Sequence, residues 1–101
     1  MNPLYLIAEI FPHPDKLIEA KKAFDELVIH TRQEPGCLLY DLVIEDGADH
    51  WMMIEKWQDK QSWEAHMLTE HVQQITALAP AFTTKETNLR FLHQLENTAS
   101  N

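Results

Sequence analysis

Two apolar runs, "CLLYDLVIE" from Cys37 to Glu45 and "HWMMIEKW" from His50 to Trp57, stand on either side of "DGAD". Both are rich in β-branched, aromatic and long apolar residues. A short turn joins them, and its Gly47 is free to take positive φ, so the pair predicts an antiparallel hairpin. A hairpin with one face on a core and one in water alternates apolar and polar residues. These strands do not. In the first, Leu38, Tyr40, Leu42 and Ile44 share one face, and Cys37, Leu39 and Val43 share the other with Asp41 and Glu45. In the second, Met52 and Ile54 face one way, and Trp51, Met53 and Trp57 the other. A sheet built on this pair needs cover on both faces.

The rest of the chain supplies cover for one face. "LYLIAEIF", Leu4 to Phe11, lies between Pro3 and Pro12 and reads as a first strand. "HPDKLIEAKKAFDELVIHTRQ" then shows helical spacing. Leu17, Ala20, Phe24, Leu27, Val28 and Thr31 form one stripe, opposite Lys21, Lys22, Asp25 and Glu26. Pro14 and Asp15 suit its first turn, and "EPG" at Glu34 to Gly36 stops it. After the hairpin, Asp59 caps a second helix with Trp63, His66 and Met67 on one side. Thr69 caps its continuation through His71, Val72, Ile75 and Leu78 to Pro80. "TTKETNLRFLHQL", Thr83 to Leu95, is the last strand, with a polar first half suited to loop. The order strand, helix, strand, strand, helix, strand predicts an α+β, ferredoxin-like βαββαβ sandwich. Right-handed crossovers put both helices on one sheet face. A second copy of the chain, sheet against sheet, is the simplest cover for the other, so a homodimer is expected. The expected organisation is a single domain over residues 1–96 and a disordered tail over 97–101.

With 8 basic and 16 acidic residues the net charge is −8. That repels phosphate backbones and anionic lipid, so neither nucleic acid nor a membrane surface is an expected partner. No apolar run reaches the roughly 20 residues of a bilayer span, and "MNPLYLIAEIF" lacks the basic start of a signal peptide, so a cytoplasmic location is expected. Cys37 is the single cysteine; it cannot form an internal disulfide and reads as a small buried side chain.

The stretch "WQDKQSWEAHMLTEHV" carries two tryptophans and two histidines. Taken with "EPGCLLYDLVIED", it resembles the antibiotic biosynthesis monooxygenase domain, including small bacterial quinol monooxygenases. The matching residues are Glu34, Gly36, Cys37 and Tyr40 in an E-x-G-C-x-x-Y turn and strand, Glu55 and Trp57 in E-x-W, and His66 and His71 in H-x-x-x-x-H. The resemblance covers nearly the whole chain. It implies a dimeric α+β barrel and the oxidation of a small quinol or phenolic aromatic by O₂ without metal, flavin or haem. Such chemistry needs a dry pocket, a group that removes the substrate proton, and donors for developing negative charge. The expected catalytic groups are His66 and His71, which can move protons near neutral pH. Trp57, Tyr40 and Trp63 are expected substrate-binding walls, with Arg90 a cationic donor if the last strand points it inward.

Each of these has a plainer reading. Trp57 and Trp63 fill core, Tyr40 bonds backbone, the histidines bond or cap helix ends, and Arg90 pairs with a carboxylate. Glu9 and Glu55 are charges inside predicted strands and need partners or water. His13, His30, His50 and His93 fall at turns or exposed positions and are given no role. His66 and His71 lie about 140° apart on an unbroken helix, a poor metal pair without a bend near Thr69, and no third ligand has a spacing signal. No metal or cofactor is therefore expected. Haem-degrading relatives use a strand-one asparagine, a helix-two tryptophan and a later histidine; "LYLIAEIF", His66 and Thr76 stand where those would be. Two other functions remain open: a non-catalytic binder of an aromatic metabolite, and a histidine-dependent isomerase or lyase acting on a small carbonyl compound.

Overall fold

The computed structural model describes residues 2–95, so the expected tail lies outside the described residues. The chain forms β1 (Leu4–Ile10), a 3-10 turn (Pro14–Lys16), α1 (Leu17–Thr31), β2 (Cys37–Ile44) and β3 (Trp51–Trp57). It continues with α2 (Lys60–Met67), α3 (Glu70–Leu78), a second 3-10 turn (Ala79–Ala81) and β4 (Asn88–His93). The sheet order is β2-β3-β1-β4, and every adjacent pair is antiparallel. This is the ferredoxin-like arrangement that the element order predicts.

Local chemistry accounts for most boundaries. His13 caps the 3-10 turn that leads into α1, its Nδ1 accepting from the Asp15 amide at 3.1 Å, and Pro14 and Asp15 lie in that first turn as their types suggest. Ala20, Phe24, Leu27, Val28 and Thr31 of the α1 stripe are buried, whereas Leu17 lies half-exposed in the first turn. Arg32 ties the end of α1 to β2, donating from Nε to the Tyr40 carbonyl at 3.0 Å and from Nη2 to Asp41 at 2.7 Å. Gly47 takes φ 83° in the hairpin turn. β4 occupies the second half of the expected segment; its polar first half is loop, and Thr83 makes only an isolated bridge to Pro12.

The helices cover one sheet face. Leu6, Ala8 and Ile10 of β1 and Met53, Glu55 and Trp57 of β3 point into that layer. The face assignment of β2 needs a correction. Cys37 pairs with Trp57 and Leu39 with Lys56, so Leu38 is an extra, bulged residue. The bulge turns Cys37 to the helix side and leaves Leu38 55% exposed, although simple alternation groups Leu38 with Tyr40. Cys37 is half-buried; burial pushes its thiol up and keeps it protonated. The opposite face carries Leu39, Val43 and Leu92, all partly exposed, together with Tyr5, Ile7, Met52 and Ile54. It is apolar at its centre, as the two-faced pattern predicts.

Candidate functional site

Between the sheet and the helices lies a cavity of about 670 Å³, within the range of small-molecule sites. Phe24 and Leu27 of α1, Met53 of β3, and Val72 and Ile75 of α3 give it largely apolar walls. Tyr40, Glu55, Trp63 and His66 break that surface with chemistry, and Thr76 and the polar segment Thr83 to Thr87, with Lys85 and Glu86, complete the lining. Trp63 meets Phe91 edge to face at 5.0 Å, linking α2 to β4 beside the cavity.

His66 is buried in the wall, 3% exposed. Its Nδ1 lies 2.8 Å from Oε2 of Glu34. His71 reaches the same oxygen with Nε2 at 2.6 Å. A carboxylate only accepts, so each ring places a hydrogen on the nitrogen that faces Glu34. For neutral His66 this leaves Nε2 unprotonated. Among the described residues that atom has no hydrogen-bond partner, and it is not one of their buried unpaired atoms, where only Thr31 Oγ1 appears. Burial pulls His66 below its ordinary pKa, against the opposing pull of Glu34, and so favours the neutral ring.

The helix break explains how the two histidines meet. α2 stops at Met67, and Thr69 stitches the junction: its Oγ1 donates to the His66 carbonyl at 2.7 Å and accepts from the Val72 amide at 3.4 Å. A continuous helix separates the rings; the break brings their centroids to 6.0 Å. Glu34 arrives from the loop between α1 and β2. Its amide bonds the Thr31 carbonyl, and its carbonyl accepts from the Cys37 amide. The loop can lie this close because Gly36 has no Cβ; one there would collide with the Ser62 side chain of α2. The Gly36 carbonyl in turn accepts from the Gln58 amide at 2.8 Å.

Glu55 is the second buried titratable group on the cavity. Its Oε1 accepts from Trp57 Nε1 at 2.9 Å. Burial raises its carboxyl to about 7, although the indole bond pulls the other way. Tyr40 lies against His66 at 5.5 Å, and burial holds its hydroxyl well above the ordinary value, so it is a neutral donor.

The expected site residues thus divide. His66, Tyr40 and Trp63 line the cavity. Trp57 is fully buried behind the wall, 4.6 Å from His66 ring to ring, and holds Glu55. His71 lies beyond Glu34, stacked on His30 at 5.6 Å, and is not among the cavity-lining residues. Arg90 is corrected: it pairs with Ile7 on the sheet face away from the helices, 3.6 Å from Glu9. The period-two alternation of β4 turns its side chain outward. In the sequence Glu34 stands only in a helix stop and at the head of E-x-G-C-x-x-Y, with no role attached, and His30 has none. No local pattern reveals what Glu34 does, because its partners lie 32 and 37 residues away.

The family model for antibiotic biosynthesis monooxygenases matches residues 3–78. The chain is 35% identical to YcnE of Bacillus subtilis (strain 168) over 75 residues, 73% of this chain and 79% of that protein. The structure of PA3566 from Pseudomonas aeruginosa is similar at a TM-score of 0.86 and 31% identity, covering 95% of this chain and 97% of that one. Rv0793 from Mycobacterium tuberculosis shares the fold, with a TM-score of 0.88 at 23% identity over 96% of this chain and 99% of that one. The chain belongs to the antibiotic biosynthesis monooxygenase family.

Proposed function

We propose that the protein is a cofactor-independent monooxygenase that oxidises a small quinol or phenol with O₂, and that it works in the cytoplasm as a homodimer. The observation that carries this reading is His66: a buried imidazole that lines a largely apolar cavity and is held by Glu34 at Nδ1, which leaves Nε2 as its unprotonated nitrogen. Nε2 takes the phenolic proton, and Glu34 stabilises the imidazolium that forms. The resulting phenolate is electron-rich enough to give one electron to O₂, which closed-shell molecules otherwise resist. Recombination and loss of water complete the step. For a hydroquinone, substrate plus O₂ gives hydroxyquinone plus water, so no external reductant enters. The Tyr40 hydroxyl is a neutral donor for the developing oxygen anion.

Oxygen uptake with a panel of hydroquinones tests the reading. Uptake by the wild type should fall at least about 100-fold in His66→Ala, the lower end of the range for a lost general base. Unchanged uptake in a folded His66→Ala protein refutes the site. The pairing of His66 with the weakly acidic Glu55 in one cavity also suits a histidine-dependent isomerase acting on a carbonyl compound. Proton exchange into such a substrate without oxygen consumption selects that alternative.

A further inference from the structure

We propose that Glu34, His66 and His71 form a binding site for a divalent transition-metal ion such as zinc, and that its occupancy switches off proton abstraction in the cavity. The second half of this proposal rests on the general-base reading of His66.

Three groups from three segments, the α1–β2 loop, α2 and α3, present one ligand atom each, and these atoms lie within 4.8 Å of one another. Two imidazoles and one carboxylate are a common donor set for zinc and for other divalent transition metals. Both rings already aim at one point, because they share Oε2 of Glu34. A tetrahedral zinc with bonds of 2.0–2.2 Å needs its ligand atoms about 3.3 Å apart. Oε2 therefore moves back from His66 Nδ1 by about half an ångström and slightly more from His71 Nε2, and the two ring nitrogens, which lie within 4.8 Å of each other, must close to the same spacing by a turn of the part-exposed His71 side chain. Glu34 sits on a loop, where such a shift is small. The site is also reachable, since the His71 side chain is 20% exposed and that of Glu34 is 13% exposed.

The consequence for the cavity follows from imidazole chemistry. In the metal-free protein the His66 hydrogen is on Nδ1, and Nε2 is an acceptor. A metal on Nδ1 takes that lone pair and forces the hydrogen to Nε2. The nitrogen at the cavity then becomes a donor, and it has no lone pair for a phenolic proton. One ring cannot bind metal through Nδ1 and act as base through Nε2.

Cobalt(II) titration of the EDTA-treated full chain tests the site. One equivalent should give visible d–d absorption of a four- or five-coordinate ion, and zinc should abolish it. His71→Ala and Glu34→Gln, checked for folding by circular dichroism, should weaken binding beyond the roughly 100-fold that loss of an outer-shell partner can cost. If either variant unfolds, ring ¹⁵N spectra of the wild type decide: zinc should move His66 Nδ1 to a metal-bound shift and leave Nε2 protonated. An absent cobalt spectrum, full-strength binding in the folded variants, or unshifted His66 nitrogens overturns the site. Oxygen uptake should be lost with one equivalent of zinc and return with EDTA; uptake that persists in the zinc-loaded protein overturns the switch. The cobalt and ¹⁵N signals do not depend on quinol turnover. Metal-free protein that oxidises no quinol while binding cobalt therefore refutes the oxidase reading and leaves the site standing.

Discussion

Replacing Glu55 by glutamine should make the protein more stable at alkaline pH and remove part of its pH dependence. Glu55 is 4% exposed, and burial raises its carboxyl from 4.5 to about 7. In the unfolded chain it ionises near 4.5; in the folded protein it keeps its proton until about 7. Its contribution to stability is therefore fully present below pH 4.5, falls as pH rises, and is gone above 7. At about 1.4 kcal/mol per pH unit, the gap corresponds to about 3 kcal/mol. Glutamine is neutral throughout, and its side-chain oxygen can still accept from Trp57 Nε1. His66 acts in the opposite direction, since its lowered value removes stability as pH falls below about 6.5. It is present in both proteins, so the difference between them isolates Glu55. Urea unfolding at pH 4.5, 6 and 8 is the assay. Wild type and Glu55→Gln should agree within about 1 kcal/mol at pH 4.5 and diverge toward about 3 kcal/mol at pH 8. Parallel stability curves would show that Glu55 titrates normally and that its burial in the wall is wrong.

Other substitutions probe the supports of the site. Thr69→Val removes the bonds to the Val72 amide and the His66 carbonyl, and should cost about 1–2 kcal/mol by thermal or urea unfolding. It should also lower oxygen uptake, because the helix break no longer sets the two histidines. Gly36→Ala should destabilise by about 1–3 kcal/mol through the clash with Ser62, and Ser62→Gly should recover most of that in the double variant by urea unfolding. Val43→Asp and Leu92→Asp place charges on the apolar outer sheet face. Each should convert the proposed dimer to a species with the mass of one chain by light scattering, while far-UV circular dichroism stays unchanged.

The sheet, the helices and the apolar demand on both faces were readable because they follow from local periodicity. The turn at Gly47, the cap at Asp59 and the break at Thr69 each have a single-residue cause, and all three are where the sequence predicts them. The cap of the 3-10 turn before α1 falls on His13, outside the Ser, Thr, Asp and Asn that usually mark one. The β2 faces were misread because a bulge leaves no mark on hydrophobicity: "CLLY" reads alike with or without an extra Leu38. For the cavity wall, His66, Tyr40 and Trp63 could be picked out by residue type and position. Glu34 could not be given its role, since the bond to His66 depends on how a loop packs on a helix far along the chain. Arg90 could not be assigned a face, because the sequence of a short strand that is apolar on both sides does not say which phase faces the helices; the pairing of Arg90 with Ile7 turns it outward.

The placement of β1 has a consequence for how the molecule assembles. It lies in the middle of the sheet, with Leu4 opposite Trp57 on one side and His93 on the other. β1 is therefore made before β4, the neighbour on its second edge, and waits for it. Until β4 docks, one edge of β1 offers unpaired amides and carbonyls to any other extended chain, and the chamber lacks Leu89 from its lining. Contacts this distant in sequence close slowly. Newborn chains are thus most open to mispairing in the interval between hairpin formation and the docking of β4.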